Sequence, residues 1–120
     1  MDLYTINNKF DIVSATSLLS VIDNKKEALV KLLSLLKDDN STLIIIEPTE
    51  KLSSKNVWKL INNLKEFWFY KGLLLWAKAR EGKAINNNIF KELKDVKIYQ
   101  EYHLYDMICI THIQYATTKV

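Results

Sequence analysis

Phe10 to Glu47 reads FDIVSATSLLSVIDNKKEALVKLLSLLKDDNSTLIIIE, and the reading of this stretch decides the fold. Phe10-Asp11-Ile12-Val13 and Leu43-Ile44-Ile45-Ile46 are rich in branched and aromatic apolar residues, the composition of strands. Between them Leu29, Leu32, Leu33 and Leu36 recur at i, i+3, i+4 and i+7, one apolar stripe of a helix. Strand, helix and strand in that order make a crossover, so the two strands are expected to run parallel. The unit is βαβ, and the fold class is α/β.

Details inside the stretch fix its boundaries. Asn24 suits a helix N-cap, and Glu27 completes a capping-box-like pair. Lys25, Lys26, Lys31 and Lys37 lie off the apolar stripe. The helix is expected to stop at Lys37-Asp38-Asp39-Asn40, with Asn40 in the left-handed conformation that glycine usually supplies. Thr42 to Glu47 shows no polar alternation, which predicts a central strand covered on both faces. Pro48 ends it, having no amide hydrogen for the ladder.

The first strand leaves the sheet through Ser14-Ala15-Thr16-Ser17, small residues that let a ligand approach the backbone. Ligands of open parallel sheets bind outside the carboxyl ends of the strands, so this exit is a candidate site; an ordinary loop fits the same residues. Leu18, Leu19, Val21 and Ile22 then make a short apolar turn over the strand end. Glu47 sits level with the exit. A carboxylate there can orient a cationic or hydroxylated substrate, or be solvated or capping.

Downstream, a long helical stretch is expected from Ser53 or Ser54 to about Glu81, with Val57, Ile61, Leu64 and Trp68 on one stripe and Gly82 as its stop. Phe67-Trp68-Phe69-Tyr70 and Leu73-Leu74-Leu75-Trp76 are apolar nearly all round, with Gly72 between them as a kink or a break. A helix of that kind buries more than one face, either in the core or against another chain or ligand. After Asn86-Asn87-Asn88 and a short helical piece from Ile89 to Leu93, the pattern turns to strand at Val96 to Tyr102 and Met107 to Tyr115. His103-Leu104-Tyr105-Asp106 is too short for a parallel crossover, so these two strands form an antiparallel hairpin.

Composition narrows the function classes. At 120 residues the chain fits one domain and is short for a complete doubly wound fold. With 48% apolar and 26% charged residues, two Gly and one Pro, it reads as a folded globular protein without long linkers. The net charge of +3 is spread along the chain as lysines with Arg80 the sole arginine, which argues for a solvated surface over a nucleic-acid interface. The single Cys109 excludes an internal disulfide and fits a reducing compartment. Without a secretory leader or a run of ~20 apolar residues, the expectation is a cytoplasmic protein that does not enter a membrane. His103 and His112 have no carboxylate or thiol at metal-ligand spacing, and Cys109 falls on the opposite strand face from His112, so no metal site is expected. No phosphate loop, nucleophile elbow or paired helical histidine motif occurs.

Taken together, Phe10-Asp11-Ile12-Val13 with Ser14 to Leu19, the Leu-rich helix ending in Leu36-Lys37, and Leu43-Ile44-Ile45-Ile46-Glu47-Pro48 resemble the fourth strand, next helix and fifth strand of class I S-adenosylmethionine-dependent methyltransferases. The terminal hairpin resembles that family's last two strands. The resemblance covers nearly the whole chain and implies a partial Rossmann-like three-layer sandwich: a parallel β-α-β unit, a long helix and a C-terminal antiparallel hairpin. It also implies that residues 1–120 are a single half-domain, the C-terminal half, because the family's Gly-rich loop and the acidic residue ending its second strand have no counterpart before Phe10. The Pro-Gly-Gly turn usual in the family after the helix is replaced by Leu36 to Asn40.

By the same resemblance Asp2 stands near the acidic position that contacts adenine, Ala15 and Thr16 near the backbone lining the methionine moiety, and Glu47 and Pro48 on the substrate side. S-adenosylmethionine is then a cofactor only if a complementing N-terminal half is present, and the isolated chain is expected to be inactive. Complete members position donor and acceptor for in-line transfer, with catalysis largely from proximity, and no general base is identified here. The first strand would leave an apolar edge from Phe10 to Val13 bare, and such an edge recruits another strand, from a complementing half or from a second copy. The alternative is a non-enzymatic interaction module that oligomerises through this edge and the Phe67–Trp76 helix.

Overall fold

A computed structural model of the chain describes residues 5–64 and 67–116. Four strands form one sheet, β1 (Ile12–Thr16), β2 (Thr42–Pro48), β3 (Val96–His103) and β4 (Ile108–Tyr115), in the spatial order β1-β2-β4-β3. β1 and β2 are parallel neighbours, Ile12 opposite Thr42 and Thr16 opposite Ile46, with α1 (Lys25–Ser34) crossing over between them. β4 lies antiparallel between β2 and β3, so the hairpin inserts its second strand against the parallel pair. Mixed α/β architecture with an open sheet follows, as the sequence implies.

The Asn24 cap forms: its Oδ1 accepts the Glu27 amide at 3.1 Å and its Nδ2 donates to Glu27 Oε2 at 2.9 Å. α1 ends earlier than its spacing predicts, at Ser34, because the next residues turn to meet the chain before β1. Phe10 donates its amide to the Leu35 carbonyl at 2.7 Å and accepts from Lys37 at 2.9 Å, so Phe10 bridges the helix end and lies outside β1 proper. Asn40 does not take up the left-handed conformation. Asp38 supplies the turn instead, its Oδ1 accepting from the Asn40 amide and the Ser41 hydroxyl, and a side-chain acceptor makes a left-handed residue unnecessary.

Strand parity divides the sheet into two unequal faces. On one, Ala15, Leu43, Ile45 and Ile113 pack with Leu29, Leu32 and Leu33 of α1 and with Phe90 of α4 (Asn88–Lys91). On the other, Ile44, Ile46, Ile108 and Ile110 are half-buried and belong to neither of the hydrophobic clusters of the described residues. β2 is central, as its unbroken apolar run predicts, but its cover is one-sided, because both helices next to it in the packed cluster lie on the same side.

The expected long helix is two helices, α2 (Ser54–Leu64) and α3 (Phe67–Arg80). The interruption precedes Gly72, which sits inside α3 in open space. Val57, Leu60 and Ile61 of α2 pack against Leu74 and Ala77 of α3, with Leu52 and Met107 completing a second cluster. The side chains of Leu64 and Trp68, part of the predicted apolar stripe, and those of Phe67 and Phe69 lie outside the described residues. Gly82, with φ of +77°, terminates α3 as its position predicts. Leu104, Tyr105 and Asp106 in the hairpin turn are all left-handed, and the β2–α2 loop holds them: Thr49 donates from its hydroxyl to the Asp106 carbonyl at 2.6 Å and from its amide to Met107 at 2.9 Å.

Candidate functional site

The carboxyl ends of β1 and β2 are tied together by the residues that the sequence points to. Ser17 leaves β1 with φ of +56° and donates its amide to the Ile46 carbonyl at 2.8 Å. Two residues on, the Leu19 amide donates to Glu47 Oε1 at 2.7 Å. α3 reaches the same place, Trp76 Nε1 donating to Ser17 Oγ at 3.0 Å. The small-residue exit is thus a turn fastened by three hydrogen bonds to two elements, β2 and α3.

Glu47 is 3% exposed, so the solvated alternative does not hold. It caps the Leu19 amide with one oxygen, while Oε2 is buried without a hydrogen-bond partner. Burial pushes its carboxyl above the ordinary value of 4.5; the Leu19 and Ser20 donors and the Arg80 charge oppose that without cancelling it. Pro48, also buried, is the last residue of β2 and stays in register opposite Ile108. The Thr49 amide continues the pairing beyond it, because Pro48 holds a non-hydrogen-bonded position opposite Ile108 and its nitrogen faces the β1 side.

Ala15 and Thr16 differ in what they present. Thr42 bonds to the Asp11 carbonyl and Ser17 to the Ile46 carbonyl, so the odd residues of β1 turn their backbone groups toward β2. Ala15 is thereby committed to the ladder, its side chain in the packed core at 8% exposure. Thr16, Ser14 and Ile12 turn theirs outward, to the free edge. An apolar groove of about 470 Å³ runs along that edge, lined by Phe10, Ile12, Val13, Leu18, Leu32 and Leu35 among others, and Ile12 is 67% exposed. Asp2 lies outside the described residues.

A second cavity, of about 240 Å³, opens on the packed face where β2 ends and β4 begins. Glu47, Cys109 and Thr111 contribute from the strands, Phe90 from α4, and Glu50 and Lys51 from the loop after β2. Sequence reasoning missed this cavity, although parity alone aligns Glu47, Cys109 and Thr111 on one face once the strands are paired.

The two histidines share a carboxylate that the linear spacing hides. Glu101 Oε2 lies 2.9 Å from His103 Nε2, and its Oε1 lies 3.5 Å from His112 Nε2 across the β3–β4 ladder. Glu101 stands two residues before His103 on β3 itself and reaches His112 from the neighbouring strand. Among the described residues no group of three or more His, Cys, Asp or Glu side chains is arranged to hold a metal ion.

S-Adenosylmethionine finds only part of a cradle here. The outward backbone of Ser14 and Thr16 and the apolar groove make one wall at the β1 edge, and the chain's two glycines, Gly72 within α3 and Gly82 just after it, are not in a loop that follows a strand. The described residues do not by themselves fit the donor. No described helix is long and apolar enough to cross a membrane.

No family model matches the chain, and neither does any curated protein. Solved structures do. The chain is similar to the plantazolicin methyltransferase BpumL in complex with SAH and a triazolic desmethylPZN analog, at 10% identity and a TM-score of 0.63, covering 98% of this chain and 58% of that one. The BpumL complexes with monoazolic and pentazolic analogs match with TM-scores of 0.62 and 0.56, at 10% and 11% identity, over 57% and 58% of their length. This chain thus has a methyltransferase-like α/β fold and spans a little under three-fifths of the solved chains it matches.

Proposed function

We propose that the chain is the C-terminal half of a class I S-adenosylmethionine-dependent methyltransferase, cytoplasmic, and competent for methyl transfer only when a complementing N-terminal half supplies the donor site. The observation that carries this reading is the free edge of β1. Its even residues present amide and carbonyl groups that pair with no strand among the described residues, beside an apolar groove, and a row of such groups is a template for another strand. Likeness over nearly all of this chain, but little more than half of the solved methyltransferases, supports the same reading. In the completed sheet Thr16 and the Ser17 turn face the donor, and Glu47 and Pro48 belong to the acceptor side. The half-buried face with Ile44, Ile46, Ile108 and Ile110 gives the second half a surface to cover as well as an edge to extend.

Titrating S-adenosylmethionine into the chain alone, and into the chain mixed with a polypeptide that carries a Gly-rich strand-loop-helix, tests this. Silence alone and saturable binding in the mixture are expected; binding by the isolated chain tighter than about millimolar overturns the dependence on a second half.

A second reading is favoured by one observation: Ile12 on the β1 edge and Leu75 on α3, at 67% and 60% exposure, present apolar surface at separate places. In that reading the chain is a non-enzymatic module that assembles with its own copies through the Phe10–Val13 edge and α3. Light scattering separates the two, since a strict monomer at high concentration whose Ile12 to Thr16 amides exchange freely removes self-association.

A further inference from the structure

The cavity of about 240 Å³ on the packed face carries chemistry that the β1 edge does not share. We propose that it is a binding site for a small organic cation, a protonated amine on a short apolar body, with Glu47 as the anchor.

Glu47 supplies the first reason. Its Oε1 is taken by the Leu19 amide, and its Oε2 is closed to solvent without a hydrogen bond of good geometry, although the Ser20 amide and hydroxyl lie near enough to draw the carboxyl down. A buried carboxylate oxygen without a donor is costly, and an ammonium N–H is the donor that relieves it most strongly. The upward displacement of the Glu47 carboxyl fits the same deficit, since an adjacent cation would bring it back down.

Charge supplies the second. Glu47, Glu50 and Asp106 line the cavity, and the only ammonium among its described lining residues, Lys51, lies 3.5 Å from Asp106. That leaves the lining net negative, and low-dielectric walls focus such a field on an entering cation. Arg80 also attracts Glu47, from α3, but it does not line the cavity and makes no ion pair with Glu47 among the described residues.

Shape supplies the third. Phe90, 4% exposed, and Tyr102 close the cavity with aromatic surface, which suits an apolar body and attracts a cation over a ring face. The site rests on this geometry and stands whether or not the chain takes part in methyl transfer.

The test uses the whole ¹⁵N-labelled chain, titrated at neutral pH with benzylamine and, separately, with benzyl alcohol, which has the same ring and no charge. Benzylamine is expected to shift the amides of Thr49 to Lys51, Phe90 and Cys109 saturably, and the alcohol to bind about tenfold more weakly or less. Glu47→Gln keeps an acceptor for Leu19 and should abolish the preference for the amine. Equal affinity for the two ligands, silence toward both, or a Gln variant that binds the amine as well as the parent overturns the proposal. Should that variant misfold, the amine-to-alcohol ratio in the parent chain still decides.

Discussion

Leu43, Ile45, Thr111 and Ile113 on one face of the sheet are almost closed to solvent, whereas Ile44, Ile46, Ile108 and Ile110, one residue along the same strands, are only half-buried. Their sequences scarcely distinguish them, since apart from Thr111 both sets are branched and apolar. The difference is made by what lies above: α1 and α4 on the first face, and no member of either hydrophobic cluster on the second. An apolar face with the composition of a core that stays only half-buried is larger in apolar contact area than an ordinary solvated face. The comparison extends to the carboxylates, for Glu47 on the covered face has its carboxyl pushed up by burial, and Glu101 on the open face has its carboxyl held down, chiefly by His103.

The largest effect expected from this contrast is in paired truncations. Ile45→Ala, at a site 1% exposed, should cost about 2–5 kcal/mol in chemical denaturation, and Ile46→Ala clearly less, since the second side chain gives up less buried contact. Equal costs would mean that the open face is a second core, and the contrast would fail. Adding a complementing half should raise the cost of Ile46→Ala toward that of Ile45→Ala.

A smaller effect isolates the cover itself. Asn24→Ala removes the acceptor for the Glu27 amide and should destabilise α1 by about 1 kcal/mol. Hydrogen exchange should then quicken at Leu29, Leu32 and Leu33 more than in the β3–β4 ladder; uniform quickening would show that the two faces unfold as one unit.

The smallest effect is a dependence on pH that runs in opposite directions for the two carboxylates. Glu47 binds its proton more tightly folded than unfolded, so its contribution is fully favourable below 4.5 and is lost as pH rises through its displaced value. Glu101 is the reverse: its contribution is present above 4.5 and lost as pH falls through its lowered value. Against the parent chain, Glu47→Gln should remove the part of the pH profile above 4.5, and Glu101→Gln the part below it, in denaturation series between acid and neutral pH.

Much of the frame was legible along the chain because it depends on near neighbours. The βαβ unit, the Asn24 cap and the stop at Gly82 follow from periodicity and from which residues tolerate a given backbone angle. The hairpin followed from a connection too short for anything else. The end of α1 comes earlier than its spacing predicts because Phe10 claims Leu35 and Lys37 from outside the helix, and α2 and α3 part before Gly72, the residue at which the sequence places a kink or a break.

Of the candidate site, the residue positions were legible and their surroundings were not. Glu47 is named by its place at a strand end, but its burial comes from Leu19, 28 residues away, and from the β4 and α4 residues around it. His112 finds Glu101 only through the ladder.

By itself the sequence determined the classes of element, their order and the parallel pairing of the first two strands, because each rests on interactions within a few residues. Only the tertiary structure decided which face is covered, which edge stays open and which carboxylate oxygen is left without a donor. Those are set by elements that meet in space and not along the chain, and linear spacing carries no record of them.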